Sequence, residues 1–392
     1  MIHRYQKKGL NFVLDVNSGA VHLLDDISYA VSGLIDENMT EKCPESVVEA
    51  LPQYAADDVR EAYGELYELK KAGQLFAEDD YIDVSRYIPV GAPVKALCLH
   101  VAHDCNLRCK YCFYHELESR GGVPGGRMAE STLENLVRGA FETAESAVCF
   151  AFQGGEPMLA GLEFFKKFAE LEQKYRRPEI FAQRTIQTNG TRITPEWAEF
   201  FRQHDFLVGV SVDGTRALHD LSRVDGAGAG SFDDVRRGVQ HLQKAGVEAN
   251  ALCVVTGALA RHGQQAYEGL KKLGFSYLQF IPCLDALGSA RGENPWSLTP
   301  KRYAGFLKTV FDLWYRDYAS GHYVSVRQFD DYVHLLAGRR ASACAATGQC
   351  GQYFVVEADG SCYPCDFFVL PEKKTGNVNE STLPAIASGA QQ

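Results

Sequence analysis

The stretch HDCNLRCKYCFY, residues 103–114, carries three cysteines in the spacing C-x3-C-x2-C. The three are Cys105, Cys109 and Cys112. They come shortly after VKALCLHVA (94–102), an apolar run typical of a buried β-strand. Four thiolates at such spacings would complete a structural zinc site or an iron–sulfur cluster, whereas three leave one coordination position open. The spacing therefore predicts a reactive metal site, with a zinc knuckle completed by His103 or by a distant residue as the alternative.

Strand-like and helical patterns alternate from residue 93 to about residue 318. Five more apolar runs follow the first: AVCFAFQ (147–153), RTIQTN (184–189), FLVGVSVDG (206–214), EANALCVVT (248–256) and SYLQFIPC (276–283). Amphipathic helical stretches such as STLENLVRGAFETAE lie between most of them. This alternation predicts βαβ units and a parallel sheet, hence an α/β fold. Six units predict either an open six-stranded (β/α)6 partial barrel or a doubly wound sheet.

Polar and glycine-rich motifs lie where the predicted strands end. The cysteine loop follows the first strand, QGGEP (153–157) the second, QTNG (187–190) the third and SVDG (211–214) the fourth. In both candidate folds the carboxyl ends of the strands meet at one rim, where ligands bind. The sequence therefore predicts that all four motifs belong to one site.

The overall charge and hydropathy exclude several classes of function. Forty Lys and Arg residues against fifty Asp and Glu residues give a net charge of −10, which predicts no nucleic-acid partner. The sequence has no run of 18 apolar residues, so we expect no membrane span. The basic start is followed by no apolar signal segment, so we expect a cytoplasmic protein. In that reducing compartment, clustered cysteines favour metal binding or catalysis over disulfides.

Residues 1–92 have the pattern of a separate domain. NFVLDVNSGAVHLL alternates around Asn17-Ser18-Gly19, which predicts a hairpin, and three helical patterns follow. Short strands with three helices predict a winged-helix-like peptide-recognition domain, because such a module can accept a peptide as an added strand. A packing domain without a ligand is the alternative.

The three-cysteine loop resembles that of the radical S-adenosylmethionine (SAM) superfamily, with Tyr111 directly before the third cysteine. The resemblance implies that the three cysteines hold a [4Fe–4S] cluster and that the amine and carboxylate of SAM bind its fourth iron. Cleavage of SAM then gives a 5′-deoxyadenosyl radical that takes a hydrogen atom from the substrate. The residues that the resemblance assigns to SAM are Gly154, Gly155, Glu156 and Pro157 at the amine, Ser211 at the carboxylate or ribose, and Gln279 and Ile281 at the adenine. A core or strand-end role is the alternative for the last three.

Two closer resemblances divide the chain. Residues 114–376, with AFQGGEPMLAGLEFFKK and CGQYFVVEADGSCYPCDFFVLPE, are similar to the anaerobic sulfatase-maturating enzymes, which oxidise a peptide Cys or Ser to formylglycine. Residues 1–113, with LDVNSGAVHLLDD and VKALCLHVAHDCNLRCKYCF, resemble radical SAM maturases that form thioether crosslinks in ribosomally made precursor peptides. Both families modify peptides, so we expect a peptide or protein substrate. Oxidation of a Cys or Ser of a sulfatase-type peptide to formylglycine is the expected reaction, and thioether crosslinking of a precursor peptide is the alternative.

Both families end in a SPASM domain, which holds auxiliary [4Fe–4S] clusters. Residues 319–392 are therefore expected to form part of a SPASM domain, with an irregular structure held together by metal ligation. The ligands implied for the first auxiliary cluster are Cys344, Cys350 and Cys365, with Cys362 as a further candidate. Further ligands should lie beyond residue 392, so we expect either a fragment or a reduced domain.

The same resemblance makes Asp366 the general base that takes the proton of the substrate thiol or hydroxyl. A cap of the turn after Tyr363-Pro364 is the alternative role for this aspartate. The electron donor expected from the resemblance is a flavodoxin or ferredoxin. Together these expectations give a partial (β/α)6 barrel at residues 93–318 between the two smaller domains.

Overall fold

The computed structural model describes residues 1–79, 94–114, 126–285, 290–347 and 353–389. The chain divides into two compact units, Met1–Ile88 and Pro89–Gln392. The predicted domain boundary at residues 92 and 93 lies outside the described residues, and the one at residues 318 and 319 stays a prediction.

The first unit packs helices against a small antiparallel sheet. The sheet has the order β1 (Ile2–Lys7), β2 (Leu10–Asp15), β3 (Val21–Leu24), and the helices are α1 (Asp26–Val31), α2 (Glu45–Glu49) and α3 (Ala56–Lys71). The predicted hairpin joins β2 to β3, and the Asp15 carboxylate accepts the backbone N–H groups of Asn17 and Ser18 in its turn. The core of this unit includes Val13, Val59 and Leu66, all fully buried. The winged-helix-like assignment stays a prediction.

The second unit is built on a sheet to which the described residues contribute ten strands. In chain order they are β4 (Ala96–Leu99), β5 (Ala147–Phe152), β6 (Phe181–Thr188), β7 (Phe206–Ser211), β8 (Ala249–Val255), β9 (Tyr277–Pro282), β10 (Ser325–Val326), β11 (Tyr353–Val356), β12 (Ser361–Tyr363) and β13 (Gly376–Asn377). Strands β4 to β9 are parallel neighbours in chain order, which confirms the predicted βαβ units. This uninterrupted order is that of a six-unit open barrel, whereas a doubly wound sheet reverses its strand order.

Helices connect the parallel strands and cover the sheet. They are α4 (Glu130–Thr143), α5 (Leu162–Tyr175), α6 (Pro195–Gln203), α7 (Arg216–His219), α8 (Phe232–Ala245), α9 (Gly263–Lys272), α10 (Pro300–Ala319), α11 (Arg327–Leu336), α12 (Cys344–Thr347) and α13 (Leu383–Gly389). At the start of helix α6 the Thr194 hydroxyl accepts the Trp197 N–H, and Pro195 occupies the first helical position. The core beneath is rich in phenylalanine, with the ring of Phe152 at 4.9 Å from both Phe165 and Phe168.

The expectation of an irregular structure after residue 319 is wrong for its described strands. Strand β11 pairs in parallel with β4, placing Tyr353 opposite Ala96, while β10 extends the far edge of the sheet next to β9. The apolar run YFVV supplies a buried strand, although the turn signals on either side of it dominated the sequence pattern. In the described parts of the chain, no helix has the length and hydropathy that crossing a membrane requires.

Candidate active site

The three-cysteine loop begins where β4 ends and is held by hydrogen bonds to its sulfur atoms. Cys105, Cys109 and Cys112 are all half-buried. The Leu107 backbone N–H donates to Sγ of Cys105 at 3.4 Å, and the Asn189 amide donates to the same sulfur at 3.7 Å. Asn189 follows β6, so the predicted third motif does meet the first.

The loop QGGEP fits against the cysteine loop because Gly155 has no side chain. A Cβ atom at Gly155 would lie 2.1 Å from the carbonyl oxygen of His103 and 2.5 Å from that of Asp104. Gly154 has a φ of +111°, a backbone conformation that favours glycine. The Glu156 N–H donates to the Asp104 carbonyl at 2.9 Å, which joins the two loops.

The Glu156 carboxylate binds the protein's own donors. It is fully buried and accepts the Thr188 hydroxyl at 2.8 Å and the backbone N–H groups of Asn189 at 2.8 Å and Met158 at 3.0 Å. Burial raises the pKa of this carboxyl, although the three hydrogen bonds act in the opposite direction. These contacts favour loop ordering for Glu156, while the buried Pro157 begins a short 3-10 helix (Pro157–Ala160).

Two of the three residues predicted near SAM on the later strands, Ser211 and Gln279, share one row of the sheet. Ser211 ends β7 and pairs with Leu252 on β8, which in turn pairs with Gln279 on β9. Ser211 is buried, Gln279 accepts a hydrogen bond from Arg327 at 3.0 Å, and Ile281 is half-buried. Their roles toward SAM stay predictions.

A buried ion pair between Arg223 and Asp213 lies beside the cysteine loop. Arg223 donates to the Asp213 carboxylate through Nε at 2.7 Å and Nη2 at 3.2 Å, and both side chains are nearly fully buried. The guanidinium lies 5.5 Å from the ring centre of Tyr111, whose hydroxyl also donates to Asp213. Burial raises the pKa of the Cys109 thiol to about 11, while the charge of Arg223 lowers it. The SVDG motif was the available signal for Asp213.

The candidate base, Asp366, follows β12. In the sheet, β12 lies on the opposite side of β4 from β5. The hydroxyl of Tyr353 donates to Oδ1 of Asp366 at 2.9 Å, and the Cys365 thiol lies 3.2 Å from the same oxygen. Burial, and then the charge of Asp366, raise the pKa of Tyr353 well above its usual value. Tyr353 therefore stays protonated and holds Asp366 in place.

The predicted auxiliary ligands are only partly described. Cys344 is exposed at the start of α12, Cys365 is half-buried, and Cys350 lies outside the described residues. Cys362 is fully buried in the main apolar core, with Sγ 3.6 Å from the Gly360 carbonyl oxygen. That environment favours a core role for Cys362 over the predicted ligation.

The cysteine loop has the donors that an iron–sulfur cluster requires. Cys105, Cys109 and Cys112 place three half-buried thiols on one loop. A [4Fe–4S] cluster is held by cysteine thiolates, and the ligating sulfurs accept hydrogen bonds from nearby amides. The amide donors to Cys105 match this requirement.

Comparison with known proteins gives the family. Residues 99–265 match the radical SAM superfamily, and residues 344–392 match the SPASM iron–sulfur cluster-binding domain. A cysteine-type anaerobic sulfatase-maturating enzyme of Clostridium novyi (strain NT) is 44% identical over 284 residues, which cover 72% of this chain and 76% of that enzyme. The chain belongs to the anaerobic sulfatase-maturating enzymes. Membership in this family of radical SAM enzymes implies a [4Fe–4S] cluster and SAM, and the SPASM domain implies auxiliary iron–sulfur clusters.

Solved structures agree with this assignment. Native anSMEcpe with bound AdoMet (SAM) and Kp18Cys peptide superimposes with a TM-score of 0.72 at 42% identity, over 76% of this chain and 81% of that one. SuiB of Streptococcus suis, bound to its precursor peptide SuiA, has a TM-score of 0.55 at 13% identity and covers 99% of this chain and 87% of its own. The likeness to SuiB shows a shared fold alone. The anaerobic sulfatase-maturating assignment therefore rests on the likeness to anSMEcpe and to the enzyme of C. novyi.

Proposed function

We propose that this anaerobic sulfatase-maturating enzyme oxidises a cysteine in a sulfatase-type peptide to formylglycine. The observation that carries the proposal is the carboxylate of Asp366, which adjoins Cys365 in the chain and is held by Tyr353. The relative from C. novyi is named as a cysteine-type enzyme, which favours cysteine as the oxidised residue.

The proposed roles follow from the residues' chemistry. Cys105, Cys109 and Cys112 would hold the cluster, and the QGGEP loop would adjoin SAM. When bound, the cluster and SAM supply a radical that removes a hydrogen atom from the substrate Cβ. Asp366 would accept the proton of the substrate thiol through Oδ2, because the Tyr353 hydroxyl donates to Oδ1.

Three further expectations are part of the proposal. Cys344, Cys350 and Cys365 would hold an auxiliary cluster beside Asp366 to take up the second electron of the oxidation. Water would then hydrolyse the resulting thioaldehyde to formylglycine and release hydrogen sulfide. A flavodoxin or ferredoxin would deliver the electron, in a cytoplasmic setting. Neither nucleic acid nor membrane is an expected partner, because the chain's charge is −10 and its composition is that of a globular protein.

The Asp366→Asn variant tests the proposed base. Asparagine keeps the size of the side chain but cannot take a proton, so formylglycine formation should fall by a factor on the order of 10² or more. Cleavage of SAM to 5′-deoxyadenosine under strong reductant should continue. Both products are measured by mass spectrometry with a Cys-x-Pro-x-Arg peptide.

Glu372→Gln is the matched control, because Glu372 is an exposed carboxylate in the same segment. It should make formylglycine at the wild-type rate. An Asp366→Asn enzyme that does so as well would show that another group takes the proton.

Thioether formation on a precursor peptide is the second candidate. The observation that favours it is the three-stranded sheet of the first unit, in which β3 lies at an edge and exposes Val21 and Leu23. An edge strand can bind a peptide by adding it to the sheet. A cysteine-rich precursor peptide offered to the enzyme would then gain a crosslink and lose hydrogen.

A further inference from the structure

One face of helix α11 holds the two residues that precede Cys344. The Asp331 carboxylate accepts the backbone N–H of Ser342 at 2.7 Å and that of Ala343 at 3.3 Å. Arg327 lies four residues before Asp331 and hence on the same face of the helix. Its Nε donates to the Ser342 hydroxyl at 3.0 Å, and its Nη2 donates to the Ser342 carbonyl at 3.4 Å. The N–H, the carbonyl and the hydroxyl of Ser342 therefore all bond to α11.

The Asp331 carboxylate depends on these hydrogen bonds. Asp331 is only 3% exposed, whereas its neighbour Asp330 is half-buried and accepts the hydroxyls of Tyr323 and Ser325. Burying a carboxylate is costly unless hydrogen bonds compensate for the lost water. The two backbone N–H groups ahead of Cys344 supply such bonds. Release of this segment would remove them, so the buried carboxylate favours the bound position of the segment.

Helix α11 is itself fixed to β9, the last of the six strands β4 to β9. Strand β10, directly before the helix, pairs in parallel with β9. The Gln328 side chain bonds both the N–H and the carbonyl of Phe280 on that strand. Arg327 also donates from Nη1 to Oε1 of Gln279 at 3.0 Å. The helix therefore joins the segment before Cys344 to a strand of the barrel.

We propose that Arg327 and Asp331 are positioning residues that hold Cys344 for ligation of the auxiliary iron–sulfur cluster. Cys344 is exposed, so burial of its side chain does not fix its place, whereas the hydrogen bonds to the two preceding residues do. A ligand that is already held in place loses less conformational freedom when it binds. Groups that orient metal ligands typically change metal affinity by about 10- to 100-fold. This inference rests on the proposed function, which assigns Cys344 to an auxiliary cluster.

Amide exchange of the substituted chain tests the first step of the proposal. In Asp331→Asn the side chain keeps its size, but one of its two terminal atoms becomes an N–H donor, so one of the two backbone N–H groups loses its acceptor. We expect the peptide that spans Ser342 and Ala343 to exchange about tenfold faster in the reconstituted full-length chain. Hydrogen–deuterium exchange with mass spectrometry measures this rate.

Iron release tests the second step. Replacing Cys105, Cys109 and Cys112 with alanine removes the ligands of the first cluster, so the iron that remains reports on the auxiliary cluster alone. In this background Asp331→Asn should lose its iron to a chelator about tenfold faster than the chain with Asp331 intact. An unchanged rate of iron release would overturn the proposal.

Asp330→Asn is the matched control, because Asp330 is the adjacent carboxylate of the same helix but bonds to Tyr323 and Ser325. It should leave the exchange of residues 342–343 and the release of iron as they are in the unsubstituted chain. Equal effects of the two substitutions would show that α11 acts only through general stability, which would contradict the proposal.

Arg327→Lys serves if Asp331→Asn does not fold. Lysine keeps the positive charge, but its single ammonium group cannot span Gln279 and both acceptors of Ser342, as the guanidinium does. Iron release in the three-alanine background should again quicken, and an unchanged rate would contradict the proposal. If that background binds no iron with Arg327 and Asp331 intact, this inference is wrong. Wild-type enzyme that holds the auxiliary iron but makes no formylglycine would overturn the proposed reaction and leave this inference standing.

Discussion

At the scale of single residues, chemistry that is local in the sequence could be predicted, and partners distant in the sequence could not. The three cysteines were identified from their spacing, and the GGEP loop from its place after the second strand and from the family resemblance. Both could be found because each motif occupies a few consecutive residues. Glu357, by contrast, lies 257 residues from its partner His100, and no local pattern marks the pair. Asp213 was also missed, although its partner Arg223 is only ten residues away, because their pairing depends on how the intervening chain folds back.

His219 should make the stability of the protein depend on pH. The ring is fully buried, accepts the Asp213 N–H at Nδ1 and donates from Nε2 to Ser231, and burial lowers its pKa from 6.5 to about 4. The unfolded chain therefore binds a proton between these pH values and the folded chain does not. Stability conferred by the neutral ring is present above pH 6.5 and is lost as the pH falls toward 4.

The comparison is between wild type and His219→Gln in urea unfolding at several pH values. Between pH 6.5 and 4 the free energy of unfolding of the wild type should fall more steeply, by about 1.4 kcal/mol per pH unit, because one proton separates the two proteins. Parallel curves for the two proteins would mean that His219 does not titrate in this way.

At the scale of elements, the strands β4 to β9 followed from their apolar runs, whereas the edges of the sheet did not. Strand β10 has two residues and β11 has four, too few for a periodic pattern to stand out. Their pairing with β9 and β4 brings together segments that lie far apart in the chain. The sequence of residues 353–356 allowed a strand but could not indicate its neighbour.

Gly155→Ala should disrupt the contact between the QGGEP loop and the cysteine loop. The new Cβ would meet two backbone carbonyl oxygens, which cannot move aside as a side chain can. We expect the free energy of unfolding to fall by about 2–4 kcal/mol and the iron bound after reconstitution to decrease. Urea unfolding and iron content per chain measure the two effects.

Gly139→Ala is the matched control for this substitution. Gly139 lies inside α4, and its added Cβ would make only an ordinary contact with Leu383 at 3.5 Å. Alanine should therefore stabilise the helix by up to about 1 kcal/mol and leave iron binding unchanged. Equal losses in the two variants would show that the close approach at Gly155 is unimportant.

At the scale of the whole molecule, the two compact units could be anticipated from the change of pattern near residue 90. The first unit has its own buried core, and a domain with its own core can fold alone. Residues 1–88 expressed separately should therefore unfold cooperatively in urea. The substitution Leu66→Ala should lower the free energy of unfolding by about 2–5 kcal/mol, because Leu66 is buried in that core. A gradual, non-cooperative transition followed by circular dichroism would show that the unit depends on the rest of the chain.

The reaction itself is decided most directly by offering two substrates to the anaerobically reconstituted enzyme with SAM and a strong reductant. One is a Cys-x-Pro-x-Arg peptide, and the other is a cysteine-rich precursor peptide with its leader. Mass spectrometry of both products is the measurement. We expect an aldehyde at the cysteine of the first peptide and an unchanged second peptide. A crosslink with loss of two hydrogens in the second peptide, and no aldehyde in the first, would contradict the proposal that this enzyme makes formylglycine.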